Sequence, residues 1–144
     1  MHFVELKPAS VPSPCHQQSQ AQPIFPESSP ATAGVFVCDD AGACSLAAML
    51  AADALDVPLA NVLAETRGSR TTAHARQVAM YLAHVALGVP LAAVGRCFGR
   101  DHSTVAHGCG RVEDLRDERG FDQMIAELAL AARIARRLDR EVLA

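Results

Sequence analysis

The sequence predicts an all-α chain: a compact helical bundle carrying a helix-turn-helix, preceded by a disordered N-terminal tail. Three observations predict it. Apolar residues recur at three- and four-residue spacing from about residue 44 onward. Aromatic content is 4%, with no Trp, while Ala and Leu abound, which suits helices packed through small side chains rather than a β-sandwich. Only Gly34–Cys38 (G-V-F-V-C) reads as a strand, and it has no partner strand.

The tail comes first. Residues 1–34 hold six of the eight prolines, five Ser and four Gln. Phe3, Val4, Ile24 and Phe25 keep no helical period there, so residues 1–40 are expected to remain disordered. Pro23-Ile24-Phe25-Pro26 is the one short stretch that could serve a partner instead. A DNA-binding domain is expected over 41–120 and a separate amphipathic helix over 121–144.

Cys44–Asp56 is the first predicted helix, with Leu46, Met49, Leu50, Ala54 and Leu55 as its apolar face. Pro58 opens a second, Pro58–Ala64, because proline suits a helix's first turn; Leu59, Val62 and Leu63 form its face. Thr66–Thr72 (T-R-G-S-R-T-T) reads as a polar, basic loop. Ala73–Leu87 follows as a strong helix, with Val78, Tyr81, Leu82 and Val85 inward and Gly88 as its stop. Pro90–Phe98 is a short helix facing inward through Leu91, Val94 and Phe98. After Gly99-Arg100, a helix over Asp101–Arg116 buries Val105, Cys109 and Val112. The last helix, Asp122–Leu143, carries a stripe of Ile125, Leu128, Ala132, Ala135, Leu138 and Val142, with Phe121 just before it.

Composition excludes several functions. The uncharged, Ala-rich apolar run Ala41–Ala52 is well short of the roughly 20 residues of a membrane span. No basic, apolar secretory start follows Met1, so a cytoplasmic, nucleoid-associated protein is expected. Five Cys, an odd number with no C-x-x-C pair, argue against a disulfide framework. Cys97, His102, His107 and Cys109 lack the tight ligand pairs of a zinc site, so no metal is expected. No nucleophile, base and orienting group converge in the sequence, so no enzyme is expected. No G-x-x-x-x-G-K-[ST] loop occurs, and the single Lys is Lys7, so neither a nucleotide nor another cofactor is expected.

The net charge of −3 conceals a local excess. Residues 1–60 carry one Lys and six acids. Residues 65–112 carry Arg67, Arg70, Arg76, Arg96, Arg100 and Arg111 against Glu65 and Asp101, a net +4. Arginine forks onto phosphates and guanine edges, and a basic window on a helical domain is an electrostatic footprint for nucleic acid.

Within that window, Pro90–Phe98, the Gly-containing turn and the helix from Asp101 form a helix-turn-helix pattern. Its second helix opens with Asp101, His102, Ser103 and Thr104. Recognition helices present their N-terminal residues to base edges. Asp accepts from cytosine N4, Ser and Thr serve donors or acceptors, and a Thr methyl meets a thymine methyl. Helix capping by Asp101 or Ser103 would account for one or two of the four and leave His102 unexplained.

Arg76-Gln77-Val78-Ala79-Met80-Tyr81-Leu82, Val94-Gly95, Phe98-Gly99, Arg100-Asp101-His102-Ser103-Thr104-Val105 and His107 resemble the C-terminal DNA-binding domain of the bacterial replication initiator DnaA. The resemblance covers about residues 44–116. It implies binding to double-stranded DNA at short DnaA-box-like sites. It places Arg70 in the minor groove from the basic loop, and Asp101, His102, Ser103 and Thr104 in the major groove. It places Arg76 and Gln77 on phosphates. Arg67, Thr72, Arg100, His107 and Arg111 are expected to add phosphate contacts. The turn before Arg100 is one residue shorter than the family's, Ser103 stands where the family has Thr, and His84 matches a position the family often makes basic. With no ATPase domain in the sequence, a small regulator of transcription or replication is expected. The alternative is a protein-interaction module. The final helix is its feature, since that stripe either pairs two chains as a homodimer or packs on the domain.

Overall fold

The computed structural model describes residues 40–143, so the expected tail, save Asp40 which opens the first helix, and the Gly34–Cys38 strand candidate lie outside the described residues. Six helices follow one another, with no strand among the described residues: α1 Asp40–Ala54, α2 Leu59–Leu63, α3 Arg70–Tyr81, α4 Leu91–Phe98, α5 His102–Leu115 and α6 Arg119–Val142. A π turn, Leu82–Ala86, continues α3. None of these helices is long and apolar enough to cross a membrane.

Helix α3 is the axis of the bundle, packed between α1 and α5. It buries Ala75, Val78, Ala79, Met80 and Tyr81. Helix α1, which packs on it, buries Ala43, Cys44, Ala47, Ala48, Ala51 and Ala52 in the core. This corrects the sequence expectation for α1. Its core face is the small-residue face, while Leu46 and Leu50 are half-buried and Met49 is exposed. Alanines at three- and four-residue spacing let two backbones approach closely, and the larger side chains then fill the margins.

The π turn causes a second correction. One extra residue per turn shifts the register after Tyr81, so Leu82 and Ala83 are buried while Val85 is 46% exposed, not inward. Within the π turn, the ring Nδ1 of His84 lies 2.8 Å from the Val89 carbonyl. That bond ties the π turn to the segment entering α4.

The helix-turn-helix is built from α4 and α5. Pro90 stands just outside α4 with an extended backbone. Val94 and Phe98 face the core, and Leu91 is half-buried. Gly99 closes α4 in the left-handed region, at φ 60°, and the Arg100 amide donates back to the Gly95 carbonyl at 2.8 Å. This is a Schellman-type closure, in which a six-residue return satisfies a terminal carbonyl. Asp101 then takes an extended backbone, and α5 begins at His102. Val105, Cys109 and Val112 bury the inner face of α5 as its spacing predicts.

Gly110 lies on α5, and a Cβ there would meet nothing within 4 Å. Glycine inside a helix costs about 1 kcal/mol relative to alanine. Gly110→Ala is therefore expected to stabilise the domain by up to about 1 kcal/mol, read as a higher urea midpoint at unchanged slope.

At the far end of α5, the Tyr81 hydroxyl donates to Glu113 Oε1 at 2.6 Å, and Arg116 Nη1 donates to the same hydroxyl at 2.8 Å. Arg116 Nε also reaches Asp122 Oδ1 at 2.6 Å. The set links α3, α5 and the start of α6. Burial, and then the hydrogen bond to Glu113, raise the Tyr81 pKa, so the phenol remains a donor. Helix α6 buries Ile125 and Ala132, with Phe121 and Leu128 half-buried. The last two members of its expected stripe do not pack: Leu138 and Val142 are exposed.

Candidate nucleic-acid interface

The four residues expected to read bases, Asp101, His102, Ser103 and Thr104, are all exposed at the start of α5. The Asp101 side chain makes no capping bond, so simple N-capping does not account for it. With no side-chain cap, the orphan amides of the first α5 turn remain open to an acceptor. A groove runs beside this helix start between α4 and α5, lined by Arg96, Arg100, Asp101, His102 and Thr104. In the sequence, Arg96 stands out only as part of the basic window. Its position one turn before Gly99, on the outer side of α4, is what brings it here.

The basic loop is shorter than expected. It ends at Ser69, whose hydroxyl accepts from the Thr72 amide at 3.1 Å and caps α3. Arg70 is therefore the first residue of α3, not a loop residue, and it is exposed. Thr72 is buried, and its hydroxyl lies 3.0 Å from that of Ser69.

Arg76 departs furthest from its expected role. It is 4% exposed, and its guanidinium faces inward. Nε donates to the Val62 carbonyl at 2.9 Å, Nη1 to Arg67 at 3.3 Å, and Nη2 to Asn61, Ala64 and Thr66 at 2.9–3.0 Å. Asn61, Val62 and Ala64 lie at the C-terminal end of α2, where carbonyls have no partner within the helix and the dipole is negative. Arg76 caps that end and holds the following loop. Burial, and then the neighbouring charge of Arg100, lower its pKa, yet a guanidinium remains charged near neutrality. Arg100 Nη2 approaches the same Thr66 carbonyl at 3.4 Å, so the loop and the helix-turn-helix turn meet at one backbone oxygen.

The remaining arginines of the basic window, Arg67, Arg70 and Arg111, gather in one concavity. Arg67, Arg70, His74, Gln77, His107 and Arg111 line a groove between the loop, the start of α3 and the outer side of α5. His74, which the sequence reading did not single out as a contact, stacks against Phe121 of α6 at 5.5 Å between ring centroids. Burial, and then Arg111, lower its pKa, so His74 is neutral at pH 7 and brings hydrogen-bonding capacity rather than charge. His84 does not join the groove, since its ring is engaged with Val89.

No group of three or more His, Cys, Asp or Glu is placed to hold a metal ion among the described residues. Burial, and then Glu113, push the Cys109 thiol up to about 11, so it is a protonated core residue.

A helix-turn-helix with an open recognition-helix start and an adjoining basic groove defines a DNA-binding domain. Residues 50–112 match the family model described as "Bacterial dnaA protein helix-turn-helix", and this part of the chain is a DnaA-type C-terminal helix-turn-helix domain. A 59-residue stretch is 44% identical to the chromosomal replication initiator protein DnaA of Lachnoclostridium phytofermentans, covering 40% of this chain and 13% of that protein. A solved structure titled as that of a DNA replication initiation factor aligns with 67% of this chain and 30% of its own, at 27% identity and a TM-score of 0.60. The chain thus matches only a minor part of the length of these initiators.

Proposed function

We propose that this domain binds double-stranded DNA sequence-specifically at DnaA-box-like sites and acts there as a regulator of transcription or replication initiation. The exposed, uncapped quartet Asp101–Thr104 beside a basic groove carries the reading. Those four residues read base edges in the major groove. Arg70, exposed at the tip of α3, enters the minor groove, where arginine is favoured. Arg67, Gln77, Arg100, His107 and Arg111 position the duplex through phosphates. Arg76 and Thr72 are left out of the contacting set, because both are engaged inside the fold. Arg96 and His74 join it on their placement in the two grooves.

Fluorescence anisotropy with labelled box and scrambled duplexes, at two salt concentrations, tests the reading. A gap between the duplexes that persists at the higher salt is expected. Equal curves would refute sequence-specific reading. Arg70→Ala and His102→Ala should each cost about 1–3 kcal/mol on the box and relax preference at one position. Arg67→Ala and Arg111→Ala should weaken both duplexes alike and each lower the salt slope by about one.

A further inference from the structure

Helix α6 is 24 residues long, and only one side of it belongs to the core. Ile125 and Ala132 are fully buried on that side. On the opposite side, Leu130 and Ile134 are 57% and 51% exposed, with Leu138 at 54% beside them. Gln123, Glu127, Leu130, Ile134, Arg137 and Glu141 recur there at alternating spacings of four and three. That spacing is the seam of a coiled coil.

This seam is complementary to itself when reversed. In one antiparallel register, Leu130 meets Ile134 of a second copy and Glu127 meets Arg137. Gln123 then meets Glu141, and flanking Ala126 meets Leu138. Every layer pairs unlike residues, and the single basic seam residue meets an acid on each side of the two-fold. A seam for an unrelated partner has no need to read the same in reverse. Glu127 already accepts from Gln123 Nε2 within its own helix at 3.0 Å, which leaves its second carboxylate oxygen for the guanidinium. The seam spans about 27 Å at 1.5 Å per residue, and it lies on the side of α6 away from the domain body.

We propose that α6 is a homodimerisation helix, docking antiparallel on α6 of a second copy through Leu130 and Ile134, with two Glu127–Arg137 pairs fixing the register. The proposal does not depend on DNA recognition.

Sedimentation equilibrium of the full chain, from about 1 to about 300 μM, provides the test. A monomer–dimer equilibrium with micromolar Kd is expected. Leu130→Glu/Ile134→Glu, both at exposed positions, should be monomeric throughout with an unchanged helical circular dichroism spectrum. Glu127→Arg and Arg137→Glu should each weaken dimerisation about tenfold, since each sets like charges opposite one another twice. An equimolar mixture of these two variants should recover the parent affinity, because opposite charges face each other again. A parent chain that stays monomeric would overturn the proposal. So would dimerisation insensitive to the Leu130/Ile134 change. Failure of the mixture to recover would overturn the register.

Discussion

Gly95→Ala is expected to disable DNA binding and to destabilise the domain, although it adds one methyl group to a helix. A Cβ at position 95 would stand 2.4 Å from the Arg100 carbonyl oxygen, far inside contact distance. The obstructing atom is backbone, so no side chain can rotate aside. The same glycine's carbonyl receives the Arg100 amide that closes the turn. Relief requires moving Arg100 and the helix start behind it, at a cost of about 3 kcal/mol. Because Asp101–Thr104, the proposed base readers, move with that turn, specific affinity should fall at least roughly tenfold. Gly108→Ala is the informative contrast. Its Cβ would meet Met80 Cε at 3.1 Å, the far end of a flexible side chain that can give way. Thermal melts and box-duplex anisotropy of the two variants side by side check this. A Gly95→Ala protein that melts and binds like the parent would refute the close approach.

Arg76→Met is expected to be among the most destabilising single changes in α3, since the guanidinium it removes is buried. It keeps an unbranched apolar stem while deleting every donor. The carbonyls of Asn61, Val62, Ala64, Thr66 and Arg67 then lose a buried partner together. Bonds to a charged donor contribute about 1.5–3 kcal/mol, and orphaned buried acceptors add to the loss, so a total of at least about 3 kcal/mol is expected. Arg76→Lys should recover only a minor part, because an ammonium cannot fork across five carbonyls. Urea denaturation checks the stability. Hydrogen exchange in residues 64–69 should accelerate selectively, which a mere loss of surface charge would not produce.

The helix-turn-helix was legible because its signals are local. Pro90, the spacing of Val94 and Phe98, and Gly99 sit within ten residues and have one structural solution. The start of α3 at Ser69 was also local, yet the basic character of Thr66–Thr72 outweighed the capping hydroxyl. The face of α1 was not legible, because apolar side chains surround the helix and leave the period ambiguous. The π turn leaves no compositional trace, so Val85 fell on the wrong side. Arg76 was misread for a different reason. In a basic window an arginine reads as surface, and its acceptors lie 9–15 residues away in sequence. Only the folded chain brings them together. In α6 the steps of three from Ala132 to Ala135 to Leu138 fall short of a helical turn, so the stripe drifts and carries Leu138 round to the side away from Ile125, where it is exposed like Val142.

Arg76 holds the loop through backbone carbonyls alone. Whatever side chains stand at positions 66 and 67, the oxygens stay where they are. The arrangement separates the shape of the loop from its chemistry, so exposed residues such as Arg67 can be exchanged without dismantling the platform. Such modularity lets the strength of DNA attachment be changed by single substitutions in the loop, while Arg76, which never touches the duplex in the proposed arrangement, keeps the platform in shape.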